Sequence, residues 1–247
     1  MDNEKLAKSL SANDTNIIPY LPCLLQDLWE LGCSVGDVIY LIKNNMKEKN
    51  LKALDLACGK GTASVALAKE FGFFVKGVDL MPEFIDFAKS KAEEFGVLDL
   101  CEFEAGDVCE KILAEKGYDL VLFLASGEIL GDWEKSLFLL KNTVKEGGFI
   151  IIDDAYANCG DYLTWDDWLG IFDKCGVCLV EKMTAPINEV KRMNEINQSF
   201  IVKRAEELKI KYPHLSDLFD DYIKCQEEEI KALESNLTPF CALLKAL

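Results

Sequence analysis

The chain has 247 residues, half of them hydrophobic, with 43 acidic and 27 basic side chains and a formal net charge of −16. That length and apolar content allow one large domain, or one domain with an added cap. So acidic a chain repels a phosphate backbone, which argues against DNA or RNA as a partner.

Residues 1–16 are polar. From Ile17 the sequence turns apolar, and the spacing of Leu21, Leu24, Leu25 and Leu28 predicts a helix up to Leu31, stopped by Gly32. A second helix fits Val35 to Met46, with Val38, Ile39 and Ile42 turned inward. Together they read as an N-terminal helical cap, residues 1–48, ahead of a main domain over 49–247. Tyr20, beside prolines, is a candidate substrate contact.

Leu54 to Cys58 is short enough for one buried strand, and a glycine turn, Gly59-Lys60-Gly61, follows it. A helix begins at Thr62 and stops at Gly72. A second apolar run, Phe73 to Val78, then ends on Asp79. Strand, glycine turn, helix, strand and acid make the outline of a nucleotide-binding βαβ unit. Gly59 and Gly61 let backbone approach a ligand, the helix start offers free N–H groups, and a carboxylate at Asp79 can accept from two ribose hydroxyls. A pyrophosphate fingerprint wants a third glycine where Ser64 stands, which weakens a dinucleotide reading.

Pro82 sits well at a helix start, with Phe84, Ile85, Ala88, Ala92 and Phe95 on one face and Gly96 at its end. Leu98 to Phe103 reads as a strand, and Gly106-Asp107-Val108 follows it. Asp107 suits an adenine contact or a helix N-cap. Tyr118 to Ala125 is apolar apart from Asp119, as a central parallel strand should be. Small residues then lead to Glu128. Asp132 caps a helix reaching Val144, with Gly147-Gly148 beyond it. Phe149 to Asp153 is a fifth strand, continuing into Asp154 and Tyr156. Thr164 caps a helix bearing Trp165 and Trp168, and Val177 to Met183 is a sixth strand. Residues 187–235 hold two long charged helical stretches broken near Tyr212-Pro213, before a last strand at Asn236 to Leu244.

The string Asp55-Leu56-Ala57-Cys58-Gly59-Lys60-Gly61-Thr62 resembles the first motif of the class I S-adenosylmethionine (SAM) methyltransferases. Ala57 stands where that family's first glycine usually is. Asp79-Leu80-Met81 looks like its ribose-and-adenine motif, Gly106-Asp107-Val108 like its adenine-reading motif, and Asp119-Leu120-Val121 like its fourth. The resemblance covers residues 50–156. It implies an α/β, doubly wound, seven-stranded sheet of order 3-2-1-4-5-7-6 with strand 7 antiparallel. Here that sheet would carry the helical insertion 187–235 between its last two strands.

It also implies SAM as cofactor, held by Asp55, Ala57, Gly59, Lys60, Gly61, Asp79, Leu80, Met81, Asp107, Val108 and Ala125. The acceptor is expected to be a small molecule. No Asn/Asp-Pro-Pro-Tyr motif supports a nucleobase amine. Should a base be needed, Glu128, Asp154 and Tyr156 are the candidates, with Tyr20 and Glu128 toward substrate. His214, the one histidine, reads as structural or surface. The insertion is expected to roof the acceptor pocket together with the Ile17–Leu31 helix, and a homodimer arm is its other use. A SAM-binding protein without catalysis, and another transferase or an oxidoreductase on the same kind of nucleoside site, are the rival readings.

The ten cysteines lie scattered in apolar runs, and Met1 to Leu10 lacks the apolar core of a signal peptide. Both point to reduced thiols in the cytoplasm. Cys175 and Cys178 form a CxxC with no second pair, so no metal is expected. No run is long enough to cross a membrane.

Overall fold

The computed structural model describes residues 3–157 and 162–247. In chain order these form α1 (Asn3–Ser9), α2 (Leu21–Leu24), α3 (Val35–Asn45), β1 (Lys52–Leu56), α4 (Thr62–Phe71), β2 (Phe74–Asp79) and α5 (Pro82–Glu94). Then come β3 (Cys101–Ala105), α6 (Val108–Lys111), β4 (Tyr118–Leu124), α7 (Trp133–Lys141), β5 (Val144–Ala157) and α8 (Trp165–Cys175). The chain closes with β6 (Val177–Met183), α9 (Ile187–Lys211), α10 (Ser216–Asn236) and β7 (Leu237–Ala246).

The described residues divide into two compact units. One comprises residues 3–29 with 185–239; the other comprises residues 30–184 with 240–247. The division differs from the expected 1–48 and 49–247: α3 groups with the sheet, and the helices of 187–235 group with the first 29 residues.

The larger unit is built on a seven-stranded sheet of order β3-β2-β1-β4-β5-β7-β6. Its strands are parallel except β7, which runs antiparallel to β5 and β6. The strand sequences suit their places in that order. β1, β4 and the middle of β5 carry apolar runs, and Leu54, Leu56, Val121, Leu122 and Ile150 to Ile152 are fully buried, as strands covered on both faces require. Right-handed crossovers place α4 and α5 on one face, and α7 and α8 on the other. α3 packs against α4 and β6. The carboxyl ends of β1, β2, β4 and β5 therefore meet along one edge.

Local chemistry sets the element ends. Asp132 caps α7 by accepting from the Lys135 N–H at 2.8 Å, and Thr164 and Asp167 make a reciprocal capping box on α8. α7 stops at Lys141, three residues short of the expected Val144, because β5 already starts there. The register then jumps from Tyr118↔Val144 to Leu120↔Phe149, and Lys145 to Gly148 bulge out of the ladder. Leu98 to Leu100 forms a 3-10 turn instead of the start of β3.

In the smaller unit the continuous Ile17–Leu31 helix is absent. A 3-10 turn over Thr15–Tyr20 and the single turn of α2 take its place. Pro19 and Pro22 lack the N–H that a continuous helix would use, so the leucine spacing packs without building one. Ile17, Leu21 and Leu24 are buried, and Tyr20 meets Tyr212 and Phe219 edge-on, with centroids 5.5 and 5.2 Å away. Arg204 of α9 forks onto Asp27 at 2.7 and 2.8 Å. The buried face of α9 lies in its carboxyl half, at Ile201, Ala205 and Leu208. Met193 and Ile196, in its first half, are exposed.

A cavity of about 310 Å³ in this unit is lined by Asn13, Asp14, Ile17, Asp221 and Tyr222, among others. Tyr222 is 3% exposed, and its hydroxyl has no hydrogen-bond partner among the described residues. An orphaned buried hydroxyl costs about 1–3 kcal/mol. Tyr222→Phe is therefore expected to raise the unfolding free energy by about 1 kcal/mol. Denaturant titration checks this, and a clear loss of stability would reveal a water or ligand on the hydroxyl.

Candidate functional site

The site grows from the turn between β1 and α4. After Leu56 the backbone goes left-handed at Ala57 (φ 56°), Gly59 (φ 52°) and Gly61 (φ 71°). Ala57 bears a side chain in a conformation that costs about 1–2 kcal/mol for an L-residue. A sharp turn held against that cost is characteristic of backbone kept for a ligand.

Asp79, at the end of β2, fastens this turn. Its Oδ2 accepts from the Gly59 N–H and its Oδ1 from the Met81 N–H, both at 2.9 Å. Each carboxylate oxygen keeps a further lone pair, so two more donors can be accepted. Met81 is buried at the entry to α5, and Leu80 is half-buried beside it. Asp79 thus joins the turn to β2 and presents acceptor capacity at one point.

Beneath the turn, Asp55 is 2% exposed and accepts from the Ser64 Oγ–H at 2.6 Å. It couples β1 to α4 and holds the turn from inside. Burial raises its carboxyl to about 7; the Ser64 hydrogen bond works against that rise and the Asp79 charge adds to it. Burial raises Asp79 too, against the pull of backbone N–H groups at Met81, Gly59 and Leu80. On β5, burial and then the Asp154 charge push Asp153 well up. Asp154 rises to about 6, chiefly through burial, although it accepts from the Ala155 N–H at 2.6 Å and from the Trp133 indole. Four desolvated carboxyls thus stand at the carboxyl ends of β1, β2 and β5. Such a set favours a cationic ligand, whose charge restores their ionised form.

The raised Asp55 carboxyl makes stability depend on pH with a definite sign. The folded chain holds this proton up to about pH 7, whereas the unfolded chain releases it near 3.8. Its contribution to stability is present below pH 4 and falls by about 1.4 kcal/mol for each pH unit as pH rises toward 7. Asp55→Asn keeps the Ser64 contact without the titration. In urea titrations the variant should gain on the parent protein between pH 5 and 7.5. Parallel pH profiles would refute the assignment.

The other expected site residues fall into place unevenly. Lys60 is buried with its ammonium on the rings of Phe87 and Phe84, 4.8 and 5.7 Å from their centroids, so its side chain serves α5 packing. Asp107 caps α6, accepting from the Cys109 N–H at 2.8 Å, and Val108 is buried behind it. Ala125 ends β4 in left-handed backbone (φ 46°), and Glu128 is exposed in the turn beyond, where its charge reaches Asp154. Tyr156 stacks on Trp165 at 5.3 Å and receives the Lys182 ammonium at 3.4 Å. Tyr20 belongs to the smaller unit and packs its ring there.

Residues 31–33 were not legible as part of the site. A Cβ on Gly59 would lie 3.2 Å from Leu31 Cδ1, and one on Gly32 would lie 2.9 Å from the Ala125 Cβ. The segment after Trp29 therefore runs along the glycine turn and the end of β4. Burial, then the charges of Asp153 and Asp55, pushes the Cys33 thiol well up. In the sequence Gly32 reads only as a helix stop, so nothing local points to the site. Among the described residues, no cluster of three or more histidine, cysteine or acidic side chains could hold a metal, and no helix is long and apolar enough to cross a membrane.

The family described as "Methyltransferase domain" matches residues 47–207. The Escherichia coli (strain K12) protein YjhP is 29% identical over 150 residues, which is 54% of this chain and 60% of that one. Norajmaline N-methyltransferase of Rauvolfia serpentina is 32% identical over 106 residues, covering 43% of this chain and 36% of that one. The chain thus matches less than two thirds of these relatives' length. A SAM-dependent methyltransferase from Geobacter sulfurreducens, solved with S-adenosyl-L-homocysteine, superposes with a TM-score of 0.79 at 19% identity, over 93% of this chain and 98% of that one.

Proposed function

The chain belongs to the methyltransferase-domain family, and from that premise we propose that it transfers a methyl group from SAM to a small-molecule acceptor. The observation that carries this reading is the glycine turn pinned by Asp79, with lone pairs left over on a buried carboxylate. The set fits the cofactor on two further counts. Left-handed backbone at Gly59 lets the main chain approach a ligand. The desolvated carboxyls of Asp79 and Asp154, at the carboxyl ends of β2 and β5, suit a molecule with a sulfonium and an ammonium.

When bound, SAM supplies an already activated methyl on a sulfonium sulfur. The protein's part is to position the acceptor, exclude water and take a proton where the acceptor carries one. Asp79 holds the ribose hydroxyls. Asp55 and Ser64 keep the turn rigid from below. Asp154 is the best placed base, since a carboxyl at about 6 is ionised at neutral pH and sits beside the end of β4. Tyr156 is committed to Lys182 and serves binding better than proton transfer. The excess of acids disfavours nucleic-acid acceptors and supports a small-molecule reading over them.

Calorimetric titration with SAM, followed by S-adenosylhomocysteine release against pooled metabolites, tests the reading in two steps. Micromolar binding and acceptor-dependent release are expected. Binding without release by any pool would favour a SAM-binding protein without catalysis, and absent binding would remove the cofactor assignment.

A further inference from the structure

Lys182 lies near the carboxyl end of β6, and no carboxylate partners it among the described residues, in a chain with a net charge of −16. Other lysines of this unit do find acids: Lys76 meets Glu115 at 2.8 Å, and Lys174 meets Glu134 at 2.6 Å. The Lys182 ammonium instead lies 3.6 Å from the Trp165 ring centroid and 4.5 Å from that of Tyr156, and it donates to the Tyr156 hydroxyl at 3.4 Å. Two aromatic faces and one phenol orient the charge without neutralising it.

The position is informative. β7 runs antiparallel to both β5 and β6, so those two strands end on the same edge of the sheet. Tyr156 follows Asp154 by two residues on β5, so both project from one strand face, about 7 Å apart. That face carries an acid at Asp154, with the Glu128 charge near it, and a cation at Lys182 over Tyr156. An acid and a cation presented over neighbouring positions of one strand face match a small molecule with an amine at one end and an anion at the other.

We propose that the acceptor is an amine that also bears a carboxylate or phosphate, its anion held by Lys182 with the Tyr156 hydroxyl and its nitrogen held against Asp154. The proposal rests on the methyl-transfer reading for turnover, but the docking half stands apart from it. The chemistry balances. The ammonium gives its proton to the Asp154 carboxylate. The free amine then forms an N–C bond as the donor's S–C bond breaks, and the sulfonium becomes a neutral thioether.

The test compares β-alanine and 2-aminoethyl phosphate with ethylamine and ethanolamine. Binding to the protein saturated with S-adenosylhomocysteine is measured by calorimetry, and turnover by S-adenosylhomocysteine release from SAM. The anionic members should bind at least tenfold more tightly than the neutral ones. Lys182→Gln should erase that preference, acting on KM more than kcat, with SAM affinity unchanged. Lys182→Arg should restore most of it, which a merely structural lysine over two rings would not require. Equal binding of anionic and neutral amines, no binding of any anionic member, or a preference that survives in Lys182→Gln would each overturn the proposal. Tight binding of anionic amines without release would keep the docking site and sink the transfer reading. Turnover of neutral amines alone would do the reverse.

Discussion

Gly61→Val is expected to cost several kcal/mol of stability and to remove SAM binding as a consequence of misfolding. The reason lies behind the turn, on the side away from any ligand. A Cβ at Gly61 would sit 2.6 Å from the Cβ of Ala88 on α5 and 3.0 Å from two ring atoms of Phe103 on β3. Neither neighbour can swing aside cheaply, since one is a methyl fixed to a helix and the other a buried ring. Overpacking of this kind costs about 1–3 kcal/mol, and left-handed backbone (φ 71°) adds about 1–2 kcal/mol for a residue with a side chain. Together these approach the whole stability of a marginal domain.

Gly59→Ala should behave differently. Its Cβ would meet Leu31, most closely at the flexible Cδ1 at 3.2 Å, so the cost is mainly the left-handed strain of about 1–2 kcal/mol. The fold survives, and a loss of SAM affinity beyond that strain reports on ligand approach. Ala88→Gly in the Gly61→Ala background should recover part of the stability lost in Gly61→Ala alone. A folded Gly61→Val by circular dichroism, with unchanged melting, would show that this packing has more slack than its distances allow.

The two glycines illustrate how far the sequence could be read. Their presence in the β1–α4 turn was legible, because strand, turn, helix and acid follow one another at short range and each has a local signature. Their separate tasks were not, because the neighbours that define them, Leu31 for one and Ala88 with Phe103 for the other, are distant in the chain. The sheet order came from the resemblance, and the buried runs of β1, β4 and β5 agree with it. The Ile17–Leu31 helix fails for a local reason: leucine spacing favours it, but Pro19 and Pro22 interrupt its backbone hydrogen bonds. Lys60 and Tyr156 show another limit. Both were candidate site residues, one in the glycine turn and one after the fifth strand, yet aromatic partners from α5 and α8 decide where their polar ends lie. Asp107 admitted two readings, and its side chain does cap α6.

Asp79→Ala should weaken SAM binding at least tenfold, since charge-assisted contacts to both ribose hydroxyls are worth roughly 1.5–3 kcal/mol. Stability will move as well. Asp79 is 9% exposed and satisfies the N–H groups of Gly59 and Met81, so alanine leaves two donors without their acceptor. A loss of affinity alone would therefore confuse ribose recognition with a slackened turn. A double-mutant cycle separates them. In the parent protein, S-adenosylhomocysteine lacking its 2′ and 3′ hydroxyls should bind at least tenfold more weakly than the intact molecule. In Asp79→Ala the two should bind nearly alike, because the acceptor of those hydroxyls has gone. S-adenosylhomocysteine and SAM should also lose affinity by similar factors in the variant, as they share the ribose and differ only at sulfur. Should the hydroxyls matter as much in Asp79→Ala as in the parent, the carboxylate is a clasp for the turn and nothing more, and the ribose contact belongs to another group.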